Sequence, residues 1–218
     1  MSIIPFQVPL WIELLAAGLG GLQGALFAAG IRPRRIDLLG VIVIGLTVSL
    51  GGSLLRDIVL NQPPVVIWSN WYLIVAGASA ILGMVLQPVL ARADWIITVL
   101  LDAVVMGLFG AIAATKALSL GVGEAGALVV GVIGAIGGGM LRDVILSLPF
   151  SFLQVGTLYA VAAGTGTGVL VLLARLGTPI PITGLVCVLA TTLVRLAAVR
   201  FNWTFPEQFT LRPREFHD

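Results

Sequence analysis

Seven uninterrupted apolar stretches, at about 8–29, 36–60, 71–90, 95–115, 122–146, 153–174 and 180–199, constrain this chain more than any other feature. Each is close to the roughly 20 residues a helix needs to cross a hydrocarbon core about 30 Å thick. None alternates polar and apolar residues, so helices rather than barrel strands satisfy the backbone inside lipid. Only 10% of the 218 residues are charged, against about a quarter in a soluble domain, and the mean hydropathy is +1.11. The expected class is an all-α polytopic membrane protein: one seven-helix transmembrane domain over 1–200 and a polar cytoplasmic tail over 201–218. Met1 to Pro9 carries no basic segment, so the first stretch is read as a retained span and not a cleaved signal. Cys187, the single cysteine, sits in an apolar run and is expected as a small buried side chain without redox or metal chemistry.

Orientation follows from the basic residues of the short loops. Arg32, Arg34, Arg35, Arg92, Arg200, Arg212 and Arg214 fall on one side, and Lys116 and Arg175 on the other. That asymmetry places the N-terminus outside and the C-terminus in the cytoplasm.

The chain also repeats itself. Residues 51–63 read GGSLLRDIVLNQP and residues 137–149 read GGGMLRDVILSLP, an offset of 86. Carried back to Gly40, the offset gives 10 identities in 24 positions, and it superposes Gly21, Gly24 and Ala25 on Gly107, Gly110 and Ala111. Leu and Gly coincide easily in apolar sequence, but an Arg-Asp pair and a downstream proline in one register do not. With three spans per copy, an odd number, the second copy must enter the membrane upside down. The predicted architecture is a 3+3 inverted repeat plus one helix: repeat one at about 10–92, repeat two at about 95–178, and helix seven at about 180–200.

Consecutive glycines weaken a helix by about 1 kcal/mol each relative to alanine. Helices two and five are therefore expected to kink or unwind at Gly51, Gly52 and the adjacent Ser53, and at Gly137, Gly138 and Gly139. Freed carbonyls there could face a cation. The plainer reading is close helix packing, the role given to Gly20/Gly24, Gly134/Gly138 and Gly164/Gly168. Arg56, Asp57, Arg142 and Asp143 lie inside apolar runs, where a charge costs about 3 kcal/mol, so they are expected to face the bundle interior or water, or to snorkel. Asp102, whose repeat equivalent at this offset is Ala16, is read either as a structural hydrogen-bond acceptor or as a pathway charge. Glu13, Asp37, Asp94 and Glu124 lie in or beside spans with no assigned role. No Walker loop, dinucleotide-binding turn or nucleophile–base pair is present, and the lone His217 is terminal. No enzyme activity, cofactor, metal or nucleic-acid partner is expected.

Asp37-x-x-Gly40 precedes Gly51-Gly52-x-x-x-Arg56-Asp57 and Pro63-Pro64 followed by Tyr72, and the glycine/Arg-Asp part comes again as Gly137-Gly138-Gly139-x-x-Arg142-Asp143 and Pro149 followed by Tyr159. In these residues the chain resembles the prokaryotic branch of the trimeric intracellular cation (TRIC) channel family, whose domain also goes by the name glycine transporter. The resemblance covers about 10–200. It departs at Ser53, where a third glycine is usual, and at Gly21-Leu22-Gln23-Gly24, where a Phe-Ala-x-Ser-Gly pattern is common. It implies a homotrimer in the prokaryotic inner membrane, in contact with lipid, with one potassium-permeable pathway per subunit lined by kinked helices two and five. A carrier of a small zwitterion such as glycine remains the alternative, because an Arg-Asp pair suits both ends of such a solute. A membrane subunit without transport of its own would leave the inverted pair of motifs unexplained.

Overall fold

The computed structural model describes residues 8–31, 36–90, 95–153 and 158–203. Its regular structure there is all α-helix: α1 (Leu10–Gly30), α2 (Leu38–Val59), α3 (Val65–Trp68), α4 (Asn70–Leu90), α5 (Trp95–Ser119), α6 (Glu124–Ile145), α7 (Tyr159–Arg175) and α8 (Ile180–Arg200). Six of them (α1, α2, α4, α5, α6 and α8) are long and apolar enough to span a membrane. The protein is a multi-pass membrane protein. Arg32, Arg34, Arg35, Arg92, Asp94, Arg212, Arg214 and most of the tail lie outside the described residues.

Three boundaries differ from expectation. The fourth span extends to Ser119, a one-turn α3 separates the second and third spans, and the sixth begins only at Tyr159. With 17 residues, α7 reaches about 26 Å, short of a full hydrocarbon core. Leu158 before it has φ 40°, a left-handed turn that starts the helix abruptly.

Helices α1, α2 and α4 pack together, as do α5, α6 and α7; the two groups meet along α2–α6 and α1–α5, and α8 covers α5 and α7. The interior is built of small side chains, with Ala16, Ala25, Ala80, Ala114, Ala117 and Ala163 inaccessible to solvent, while Trp11, Leu39, Trp68 and Leu193 point outward. Small residues allow backbones to approach in a medium where burying leucine gains little.

The glycine runs show this at closest range. Both lie inside uninterrupted helices, so the expected unwinding is not found. Instead α2 and α6 cross backbone to backbone. A Cβ on Gly51 would stand 3.3 Å from the Cα of Gly138, and one on Gly137 would stand 3.3 Å from the Cα of Gly52. A Cβ on Gly52 would collide with the carbonyl oxygen of Gly134, and one on Gly138 with that of Val48. Each carbonyl occupies the space that a side chain on the facing glycine would need. Gly20 and Gly24 also pack, against Ser49, Phe109 and Val48, but Gly164 has nothing within 4 Å and is no packing position in this chain.

Both crossing helices end alike. In α2 the Gln62 N–H bonds to the Asp57 carbonyl at 2.8 Å and the Asn61 N–H to that of Ile58; in α6, Leu148 bonds to Asp143 at 2.8 Å and Ser147 to Val144. This is a Schellman cap, with Asn61 (φ 52°) and Ser147 (φ 49°) in the left-handed position usually given to glycine.

The register between α1 and α5 needs correction. Gly45 on α2 faces Ala25, and its equivalent Gly131 on α6 faces Ala114, which is 89 residues on and not 86. The helix ends agree: Gly30 and Ser119 are 89 apart, while the starts of α2 and α6, Leu38 and Glu124, are 86 apart. The connection after α1 is simply three residues longer than the one after α5.

Replacing Gly52 or Gly138 by alanine should cost about 1–3 kcal/mol through overpacking against backbone that cannot move aside. Thermal unfolding in detergent should register that loss for both, and no change for Gly164→Ala.

Candidate functional site

Arg56 lies on the last turn of α2, and its side chain is 1% exposed. It does not snorkel. Its Nε donates to Oδ1 of the adjacent Asp57 at 2.7 Å, and Lys116 Nζ, from the end of α5, donates to the same oxygen at 2.8 Å. The other oxygen, Oδ2, accepts the Val65 N–H at 3.0 Å and so ties α3 back onto α2. Arg56 Nη2 is buried with no hydrogen-bond partner among the described residues.

The second copy repeats this with changes. Arg142 Nε and Nη2 donate to Asp143 Oδ1 at 2.8 and 2.7 Å, Asp143 Oδ2 accepts the Ser151 N–H at 2.8 Å, and Arg142 Nη2 also reaches Ser151 Oγ at 3.0 Å. Phe27, from the end of α1, lies 3.8 Å beneath the guanidinium, in the place that Lys116 takes for the first pair. Lys116 and Phe27 are again 89 residues apart. Each arginine therefore pairs with its own aspartate, and each pair staples the loop that follows its helix.

A carboxylate–tyrosine contact is duplicated beside each pair. Tyr72 at the start of α4 donates its hydroxyl to Glu13 of α1, and Tyr159 at the start of α7 donates to Asp102 Oδ1 of α5 at 3.2 Å. The counterpart of Asp102 is thus Glu13, not Ala16. Asp102 has further partners: Gln23 Nε2 at 2.8 Å, and Arg195 of α8, whose Nη2 stands 3.7 Å from Oδ2. The Arg195 guanidinium lies over the Tyr159 ring at 4.9 Å. One constellation holds Glu13, Asp57, Arg56 and Lys116; the other holds Asp102, Asp143, Arg142 and Arg195. With all groups ionised, each sums to zero.

Of the residues singled out in the sequence, Arg142, Asp143 and Asp102 come together with Gly138 and Gly139. Arg56 and Asp57 gather at the far end of α2, and Gly51, Gly52 and Gly137 serve the helix crossing, with Ser53 buried beside them. Gly138 and Gly139 border a small internal cavity of about 10 Å³ with Gln23, Asp102, Phe109 and Tyr159. A larger hollow of about 470 Å³ between α2, α3, α4 and α6 is apolar, lined by Leu46, Leu50, Val66 and Leu141 among others. Sequence reasoning passed over Arg195, although it is the only charged residue between Ile180 and Val199. An ionisable residue inside a span is itself the signal.

A sequence profile of the glycine transporter family matches residues 10–88 and again 99–175. The chain belongs to this family, the TRIC/UPF0126 group. The two matches to it start 89 residues apart, the offset that the α1 and α5 contacts require. Among TRIC/UPF0126 relatives, the chain is 34% identical to a UPF0126 membrane protein of Deinococcus radiodurans over 78% of each chain. It is 31% identical to the inner membrane protein YadS of Escherichia coli over 90% of this chain and 94% of that one. A TRIC cation channel solved to explain conductance superposes with a TM-score of 0.80 at 25% identity, covering 93% of this chain and 98% of the other. The TRIC orthologue of Rhodobacter sphaeroides gives 0.80 at 25% identity, covering 88% and 97%.

Removing one carboxylate strands a buried arginine. Asp57→Asn and Asp143→Asn should each cost about 3–5 kcal/mol, read as a large fall in melting temperature or in the yield of monodisperse protein. Phe27→Leu removes the cation–π contact while keeping an apolar side chain against the Ala28 and Val41 cluster, and should cost about 0.5–2 kcal/mol by the same measurement.

Proposed function

We propose that the protein is a homotrimeric, potassium-conducting cation channel of a prokaryotic inner membrane, with one pathway inside each subunit. The observation that carries this reading is the superposition on TRIC cation channels, at a TM-score of 0.80 over 93% of the chain. The trimer is proposed from the R. sphaeroides likeness, since that protein is a trimeric intracellular cation channel. The inner-membrane location is proposed from the relative YadS.

The pathway in this reading lies between two inverted repeats, 10–92 and 95–178, with helix seven (180–200) added and the tail 201–218 in the cytoplasm. The inversion is supported by where the constellations fall. Lys116 at the end of α5 meets Asp57 at the end of α2, whereas Phe27 at the end of α1 meets Arg142 at the end of α6. The two Arg-Asp pairs thus belong to opposite vestibules. An arginine beside a cation path repels the ion, and Asp57 and Asp143 cancel that charge. Between the vestibules the route follows the Gly138–Gly139 face of α6 past Asp102, and bending of α2 and α6 at their glycine runs widens it. The catalytic alternative has no support in the residues, so the protein is read as a transporter and not an enzyme.

The family's other name, glycine transporter, favours a second reading as a carrier of a small zwitterion. Planar-bilayer recording of purified protein in asymmetric KCl decides between them. Discrete unitary currents reversing near the potassium potential are expected, with no saturable glycine uptake in proteoliposomes. Saturable glycine uptake without unitary currents would overturn the channel.

Orientation has its own test. Gly30 and Asn70 are exposed at opposite ends of the first group of helices, and the native Cys187 is fully buried. An impermeant thiol reagent applied from outside should label Asn70→Cys and not Gly30→Cys.

A further inference from the structure

The two Arg-Asp pairs are copies of one arrangement, and they differ in how the arginine is satisfied. Arg142 sets both Nε and Nη2 on Asp143 Oδ1, at 2.8 and 2.7 Å. Arg56 sets only Nε on Asp57 Oδ1, at 2.7 Å, and the Lys116 ammonium takes the same oxygen at 2.8 Å. Arg56 Nη2 is left buried with no hydrogen-bond partner among the described residues. Two exchanges between the copies match this difference. Phe27 stands where Lys116 stands and offers the carboxylate no hydrogen. Ser151, whose hydroxyl oxygen lies 3.0 Å from Arg142 Nη2, has Val65 as its counterpart 86 residues earlier; Val65 gives Asp57 Oδ2 the matching N–H but has no side-chain oxygen.

An unpaired donor on a buried guanidinium is a standing penalty. It is relieved when Lys116 leaves, because Asp57 Oδ1 is then open to Nη2 as Asp143 Oδ1 is to that of Arg142. Lys116 can leave by side-chain rotation alone. It lies on the last turn of α5 and its side chain is 21% exposed, whereas Arg56 and Asp57 are buried. The turn that follows is exposed at Leu120, Gly121 and Gly123. An ammonium on a flexible four-carbon stem, already in contact with water, trades a carboxylate for water readily. Resting on the channel reading above, we propose that Lys116 is a bolt across the vestibule at the Arg56 end. Seated on Asp57, it joins α5 to α2 and narrows the entrance. Swung out to water, it clears the entrance, and Arg56 closes on Asp57 with two hydrogen bonds, so that neither buried charge stands alone. The Arg142 end has no such bolt, since Phe27 carries no charge to withdraw into water.

Lys116 is the only lysine in the chain, so it can be addressed on the native protein. An impermeant sulfonated N-hydroxysuccinimide ester of acetic acid acylates its neutral amine, forming an amide and releasing the hydroxysuccinimide. Applied to the outer side of full-length protein in planar bilayers, the reagent should raise potassium open probability about fivefold. It should leave Lys116→Arg unchanged, which accounts for reaction at the α-amino group. Lys116→Met, selected as folded by size-exclusion chromatography, should match the acylated parent. Both treatments also remove a positive charge, so a charge-neutral variant separates the bolt from electrostatics alone. Val65→Thr keeps the shape of valine and offers Arg56 Nη2 the oxygen that Ser151 offers Arg142; Val65→Ser is the second choice. With the bolt withdrawn Nη2 already has Asp57, so the added oxygen favours the seated state. It should lower open probability about threefold and slow acylation of Lys116, followed by intact mass in detergent, by a similar factor. Unchanged or faster acylation in folded Val65→Thr, or parent-like current in folded Lys116→Met, would overturn the proposal while leaving the channel intact. Absence of current from the parent would instead count against the channel reading, and the acylation rates would still decide the bolt.

Discussion

The backbone contact between α2 and α6 is the constraint from which the rest of the bundle follows. Gly51 and Gly52 on one helix and Gly137 and Gly138 on the other leave no side chain at the crossing, and each helix's carbonyl takes the place of a Cβ on its neighbour. In lipid there is little hydrophobic gain from bringing helices together, so contact area and backbone approach must supply the association. Once the crossing is set, the Arg-Asp pair four residues beyond each glycine pair is carried to an opposite end of the bundle. Each pair is there met by the end of a helix from the other group, Lys116 for Asp57 and Phe27 for Arg142.

The charges are arranged by the same economy. Buried charge in an apolar medium is tolerated when paired and hydrogen-bonded, and Asp57 and Asp143 each hold an arginine with one oxygen and a loop N–H with the other. One carboxylate thus neutralises a cation and folds the chain after its helix back against the bundle. The constellations differ where the fold is not duplicated. Arg195 arrives on α8 and gives Asp102 a cationic partner, while Glu13 keeps only its tyrosine among the contacts described. That asymmetry makes the Asp102 end the chemically distinctive one.

Much of this was legible in the linear chain. Six of the seven expected spans and the duplicated Arg-Asp motif are local or periodic features, visible because apolar length and residue identity carry them directly; the sixth apolar stretch became the shorter α7. The register of the first and fourth spans was misread for a physical reason. Three residues are nearly one helical turn, so sliding α1 by three against α5 keeps glycine and alanine on the same face, and 86 matches almost as well as 89. The true offset shows only in contacts: Ala25 and Ala114 against Gly45 and Gly131, and Glu13 and Asp102 against Tyr72 and Tyr159.

The sequence by itself determined that this chain lives in lipid, that it is helical, that it contains one unit twice, and that two Arg-Asp pairs must avoid the lipid. Those conclusions need only hydropathy, repeat identity and the cost of charge in hydrocarbon. That the pairs are buried rather than snorkelling was decided by the tertiary structure. Only the tertiary structure decided whether the glycines break helices or bring them together, because a residue without a side chain weakens an isolated helix and stabilises a crossing, and the neighbour settles which effect wins. It alone also joined Asp102 to Gln23 and Arg195, partners 79 and 93 residues away in the chain. No periodicity links such residues; they meet because α1, α5 and α8 pack side by side.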